Sequence, residues 1–158
     1  MRPINKTVIR PVAEDDFELV CRHRLEMLRA MGRDEAVLGV MAPAFRAWLV
    51  PRLADGRYFG FIAEDEGRAV GGVGLMELDW PPHPSHPGDP RRGYVFNMFV
   101  EPECRRRGVA RALMAAAETE FRRRGIGYAI LHASAEGRPL YEADGWKATA
   151  EMAKVLDG

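Results

Sequence analysis

The chain has 158 residues, with 23 Lys plus Arg against 23 Asp plus Glu, so its formal net charge is zero. That balance excludes a dedicated nucleic-acid binder and a protein held to membranes by charge, because both carry a basic excess. At 47% apolar and 29% charged residues the composition is that of a folded globular chain, read as a single domain over 1–158. Charges interrupt the apolar runs, so no transmembrane span is expected. The N-terminal MRPINKTVIR lacks the apolar stretch of a secretory signal. Cys21 and Cys104 offer neither a disulfide framework nor metal-ligand spacing, as in a cytoplasmic protein with reduced thiols.

In chain order, Thr7 to Arg10 reads as a short strand stopped by Pro11. Glu14 to Met31 carries apolar residues at three- and four-residue spacing, with an acidic first turn and Gly32 after the last, the marks of an amphipathic helix. A second helix is expected from about Pro43 to Ala54, ended or kinked by Pro51. Tyr58 to Ala63 and Ala69 to Leu78 are strand-like, and Glu64-Asp65-Glu66-Gly67 between them signals a hairpin. Asp79 to Arg92 holds five prolines and reads as a long loop; its His83 and His86 lack the partners of a metal site.

Tyr94 to Val100 (YVFNMFV) is a strand buried on both faces. Glu101 to Gly108 is a charged loop, and Val109 to Arg124 a helix with Ala110, Leu113, Met114, Ala117 and Phe121 on one side. Tyr128 to Ala133 is a further strand, Pro139 to Asp144 a short helix, and Trp146 to Leu156 extended structure. A strand, a helix and a strand from 94 to 133 form a parallel crossover, while the hairpin implies antiparallel neighbours. The fold class is α/β with a mixed sheet.

The chemistry-bearing stretch is Val100-Glu101-Pro102-Glu103-Cys104-Arg105-Arg106-Arg107-Gly108-Val109-Ala110, between a buried strand and a long helix. A loop opening directly into a helix presents free backbone N–H groups and the positive end of the helix dipole, a place that binds phosphate. Read as spacing alone, the same segment also fits a solvated basic loop with a helix-entry glycine.

Arg105, Gly108 and Ala110 fill the Gln/Arg-x-x-Gly-x-Gly/Ala pattern, and the segment resembles the acyl-CoA motif of the GCN5-related N-acetyltransferases (GNAT). Downstream, His132-Ala133-Ser134 and Gly137-Arg138-Pro139-Leu140-Tyr141-Glu142 with Gly145-Trp146 look like that family's fifth strand and C-terminal helix.

The resemblance implies a mostly antiparallel central sheet with helices on both faces and a parallel strand pair, 94–100 and 128–133, splayed by a bulge. It implies an N-acetyltransferase that carries an acetyl group from acetyl-CoA, with no metal, to a primary amine of a small molecule or peptide. Phe99 and Val100 would meet the pantetheine arm; Arg105, Arg106, Arg107, Gly108, Val109, Ala110 and Arg111 the pyrophosphate; Ser134, Arg138 and Tyr141 the rest of the cofactor. Tyr141 occupies the general-acid position. A homodimer is common among relatives.

An alkylamine with a pKa near 10.4 must lose its proton before it attacks, so a base is needed. The strand offers only Asn97, which takes no proton and can orient substrate. Glu77 and Asp79, His132 and a water relay stay open as bases, His132 reading more naturally as a core histidine inside its strand. Arg24 to Ala30, Phe45 to Leu49 and the proline loop would wall the acceptor, with Trp48, Tyr58 and Trp80 making it partly apolar. A silent acyl-CoA sensor of the same fold is the alternative reading.

Overall fold

The computed structural model describes residues 6–156. Of the N-terminal stretch read above for a signal, residues 1–5 lie outside the described residues. Five strands form one sheet in the order β1 (Thr7–Pro11), β2 (Phe59–Asp65), β3 (Arg68–Asp79), β4 (Arg91–Val100) and β5 (Ala129–Leu131). The first three junctions are antiparallel and β4–β5 is parallel. Helix α3 (Val109–Arg123) covers one face of the sheet, and α1 (Phe17–Ala30) with α2 (Glu35–Asp55) the other. A short α4 (Arg138–Ala143) follows β5.

The hairpin between β2 and β3 closes through Glu66 and Gly67, both at positive φ (51° and 79°). Two left-handed residues are what a two-residue turn matched to strand twist demands. On the α3 face, Leu75, Val95, Leu113, Met114, Ala117 and Phe121 are buried together. The other face holds a second core of Val20, Phe45, Leu49, Leu53 and Tyr58.

Three expectations need correction. The second helix does not begin at Pro43 or break at Pro51; it runs unbroken through both, from the Asp34 cap, whose Oδ1 accepts from Ala36 N at 2.9 Å, to Gly56 at φ 80°. Each interior proline removes one helix bond, and burial of Leu38, Phe45, Leu49 and Leu53 along one stripe offsets that loss. By length and composition α2 also reaches the measure of a membrane-crossing helix, which the composition was read to exclude. Its four buried side chains lie on one face, while Val37, Val40 and Val50 are exposed on its outer side. Lastly, Lys147 to Leu156 forms no strand, and the sheet ends at β5. Beyond Trp146, which packs on the α3 core, Met152, Val155 and Leu156 lie exposed, so nothing apolar draws that segment onto the sheet.

Candidate active site

An asparagine interrupts the apolar run of β4, and the strand deforms there. Pairing with β3 steps from Gly72 opposite Phe99 to Gly74 opposite Phe96, so Val73 alone faces both Asn97 and Met98. Asn97 takes φ 52°, a left-handed conformation that asparagine tolerates better than most side chains. This is the expected bulge. Beside it, Gly74 leaves room for Tyr58, to whose hydroxyl a Cβ there would stand 2.4 Å away.

The parallel pairing of β4 with β5 covers only Gly93 to Val95. Phe96 to Val100 therefore has an edge with no strand beside it, in a V that opens toward the end of β4. Inside the V, Arg105 folds back and donates Nε to the Val100 carbonyl at 3.1 Å.

The loop after β4 delivers Arg105 to Arg111. Gly108, at φ 84°, is the N-cap of α3 and supplies no side-chain cap. Its carbonyl accepts the first helical bond, from Ala112 N at 3.0 Å. The backbone N–H groups of Arg106, Arg107, Gly108, Val109, Ala110 and Arg111 have no acceptor among the described residues. Nothing lies within 4 Å of where a Cβ on Gly108 would stand. The result is a row of unpaired donors over open space at a positive helix end, able to hold a diphosphate.

Across the V, Ser134 Oγ accepts from Gly137 N at 3.1 Å and turns the chain into α4. Arg138 lies 3.7 Å from Glu142 at the surface. Tyr141 packs edge-on to Trp146 (centroids 6.5 Å) and is half-buried, which raises its phenol pKa. Its hydroxyl has no hydrogen-bond partner among the described residues.

On the α1–α2 side of the sheet a different set converges. Tyr94 and Phe96 stack in parallel at 5.0 Å, and Phe96 meets Trp48 and Tyr58 edge-on at 6.3 and 5.4 Å. His132, just past β5 and exposed rather than in the core, sits with Nδ1 3.1 Å from the Tyr94 hydroxyl and Nε2 2.7 Å from Glu151 Oε2. A carboxylate can only accept, so Nε2 carries the proton and Nδ1 accepts from the phenol. Burial raises the Tyr94 pKa, with the Arg24 charge opposing and Glu151 adding to it. Asn97 is buried, its Oδ1 accepting from Arg24 Nη1 at 2.7 Å and its Nδ2 donating to the Tyr58 hydroxyl at 3.3 Å. Burial pushes that phenol to about 12.

Glu77 does not join this group. Side chains alternate along β3, so with Leu75 facing α3 Glu77 faces it too. Its Oε1 accepts from Arg124 at 3.3 Å and lies 3.9 Å from Arg91. Trp80 also sits apart, under the Arg92 guanidinium at 4.1 Å. His132 is one of the bases left open by the sequence, but its links to Tyr94 and Glu151 join residues 38 and 19 apart, and no local pattern shows them. Among the described residues no group of His, Cys, Asp and Glu is placed to hold a metal.

The sequence pattern of the Acetyltransferase (GNAT) family matches residues 23–146. A GCN5-related N-acetyltransferase from Ralstonia eutropha JMP134 is 52% identical, covering 97% of this chain and 100% of its own, with a TM-score of 0.95. A predicted acetyltransferase from Clostridium acetobutylicum, solved with acetyl-CoA, is 24% identical over 96% of each chain, with a TM-score of 0.86. A ribosomal-protein-alanine N-acetyltransferase from Brucella melitensis biovar Abortus 2308 is 22% identical over 97% of this chain and 100% of its own, with a TM-score of 0.71. No curated protein matches the chain. Sequence pattern and fold agree, and the chain belongs to the GNAT acetyltransferase family.

Proposed function

We propose that the protein transfers the acetyl group of acetyl-CoA to a primary amine of a small molecule or peptide, by direct attack while both are bound. The observation that carries this reading is the row of unpaired N–H groups from Arg106 to Arg111 beside the open edge of β4. Those two features fit the two ends of one ligand: a diphosphate at the helix, and an amide-bearing arm along a strand edge that lacks a partner. The protein supplies position and electrostatics to a cofactor that brings its own reactive group. Acetyl-CoA, when bound, presents a thioester carbonyl open to a neutral amine.

The remaining work falls to the chain. Tyr94 takes the proton of the amine as its own passes to His132 Nδ1, and Glu151 stabilises the imidazolium that forms. This pair replaces the carboxylate base sought on the strands. On the other side of the sheet, the Tyr141 phenol is protonated at neutral pH as any phenol is, burial raising its pKa further, and it delivers a proton to the departing sulfur. Apolar Trp48, Phe96 and Tyr94 line the acceptor side and lower the local dielectric.

The test is thiol release from acetyl-CoA over a panel of amines, with calorimetry of CoA binding beside it. Binding with amine-dependent release supports the enzyme. Binding with no release from any amine would leave only the silent sensor.

A further inference from the structure

Half-buried cations in this chain have different partners: Arg52 donates to the Trp48 carbonyl and Arg92 to His86 Nε2, while Arg10 finds acids. Arg10, similarly half-buried, donates to both oxygens of Asp16 at 2.8 and 2.9 Å and to Glu64 at 2.7 Å. Arg24 does not. Among the described residues its one hydrogen bond goes to the neutral Asn97 Oδ1, and its Nε is shut off from solvent with no acceptor. No described acid forms an ion pair with it, and the groups that act on its charge are the Tyr94 and Tyr58 phenols. Burial lowers its pKa, as desolvation of an uncompensated cation must. The Phe45 ring lies 4.8 Å from the guanidinium carbon. A ring face offsets part of the desolvation cost, but it satisfies none of the in-plane N–H donors.

The position is built rather than accidental. Asn97 stands at the one left-handed residue of β4, and Tyr58 holds its amide so that Oδ1 faces Arg24. The guanidinium is thereby fixed beside Tyr94, the residue placed nearest the amine in the reading above. Nη2 has no partner among the described residues and, unlike Nε, is not shut off, and Nη1 keeps a second N–H, so the Nη edge of the planar fork can meet a carboxylate in bidentate fashion. One cation matches one negative charge, whereas a phosphate dianion calls for more than the single cation present here.

We infer that Arg24 is the anchor for a carboxylate on the acceptor, so that the substrate class is an amine bearing a carboxylate, such as a free amino acid. Asn97 is a positioning residue that acts through Arg24 and does not touch the substrate itself. The inference rests on the acetyl-transfer reading for the identity of the reacting group, but the anion site can be measured without turnover.

The experiment compares matched acceptors, phenylalanine against phenethylamine and leucine against isoamylamine. Affinity for the CoA-saturated protein is read by calorimetry and kcat/KM by thiol release, in the parent, Arg24→Gln, Arg24→Met and Arg24→Lys. The expected result is at least about a tenfold preference for the carboxylate member in the parent, equivalent to 1.4 kcal/mol. That ratio should collapse toward one in Arg24→Gln and Arg24→Met and be partly kept in Arg24→Lys. Melting temperatures identify any variant that fails to fold, and the two neutral replacements guard against losing one of them. A parent that binds both members equally, prefers the decarboxylated amine or binds neither overturns the anchor, as does a ratio unchanged by neutral replacement. Carboxylate-dependent binding without thiol release sinks the acetyl-transfer reading and leaves the anchor standing.

Discussion

The Tyr94 hydroxyl lies 3.1 Å from His132 Nδ1, across the last paired position before β4 and β5 separate. Val95 opposite Leu131 is the final rung, so Phe96 and His132 are the first residues at the mouth of the V. A phenol and an imidazole joined there can move a proton along the sheet while the cofactor occupies the gap.

His132→Gln should therefore lower kcat by roughly 10²-fold at neutral pH, the usual scale for loss of a general base. CoA affinity should stay close to the parent value, because the pyrophosphate loop is on another element. Glu151→Gln removes only the orienting carboxylate and should cost less. Rate profiles against pH for the three proteins check this: a His132→Gln enzyme within threefold of the parent, with chemistry shown to be rate-limiting, assigns the proton to water instead.

Gly108 separates two effects that one substitution usually mixes. At φ 84° any other residue is strained, by about 1 to 3 kcal/mol, yet an added Cβ meets no protein atom. Gly108→Val should lower the melting temperature without ligand and, in addition, weaken CoA binding at least about tenfold. Arg106→Ala and Arg107→Ala should each weaken CoA binding less, since salt screens the charge of exposed Arg106 and of partly exposed Arg107 while the backbone amides are not removed. Calorimetry at two ionic strengths gives the ranking; binding abolished by a single arginine loss contradicts the backbone cradle.

Tyr141→Phe keeps the packing on Trp146 and removes a hydroxyl that has no other partner. Stability and CoA affinity should hold while turnover falls roughly 10²- to 10⁴-fold, about 3 to 5 kcal/mol in the barrier. A thiolate also leaves unassisted, so the deficit should shrink as pH rises. A flat deficit across the pH range argues against proton delivery.

His23 predicts an acid limb of stability. Burial against Phe99 (centroids 4.9 Å), reinforced by the Arg22 charge, pushes its pKa down from 6.5 to about 4, while Glu101 and Asp16 oppose the shift. Its Nε2 has no partner among the described residues, and the residue borders a cavity of about 10 Å³ shared with Tyr58 and Asn97. Above pH 6.5 the residue is neutral in both states and the fold keeps its full stability. Between 6.5 and 4 the unfolded chain takes up a proton that the folded one refuses, so stability falls by ~3 kcal/mol. The stability that Asp16 gains from Arg10, which lowers its pKa, is fully present above its ordinary value of about 3.8 and is lost only below it, so it adds nothing to the slope between pH 7 and 4. Urea melts from pH 7 to 4 should show that slope in the parent and lose most of it in His23→Phe; an equal slope in both places the acid sensitivity elsewhere.

Local chemistry settled much of this protein before any tertiary contact was known. The Arg105–Gly108–Ala110 spacing, the apolar run from Tyr94 to Val100 and the Glu66-Gly67 turn each depend on neighbours in the chain, where backbone conformation and side-chain period leave a direct trace. The bulge itself came only through the family resemblance; Asn97, read in the sequence as orienting substrate, is the residue at which it forms. Length and apolar burial decided what propensity misread: α2 passes through two prolines because its stripe packs, and the last ten described residues stay off the sheet because theirs does not. His132 stood in the sequence among several open bases, but its partners and the unpaired cation were out of reach for a stricter reason. Glu77 looked like a base until strand alternation turned it toward Arg124. His132 looked like core until β5 proved to be only three residues long. The charge of Arg24 has meaning only through the absence of an acid among residues far away in sequence. Electrostatic partnership depends on distance in space, and only the fold sets that distance.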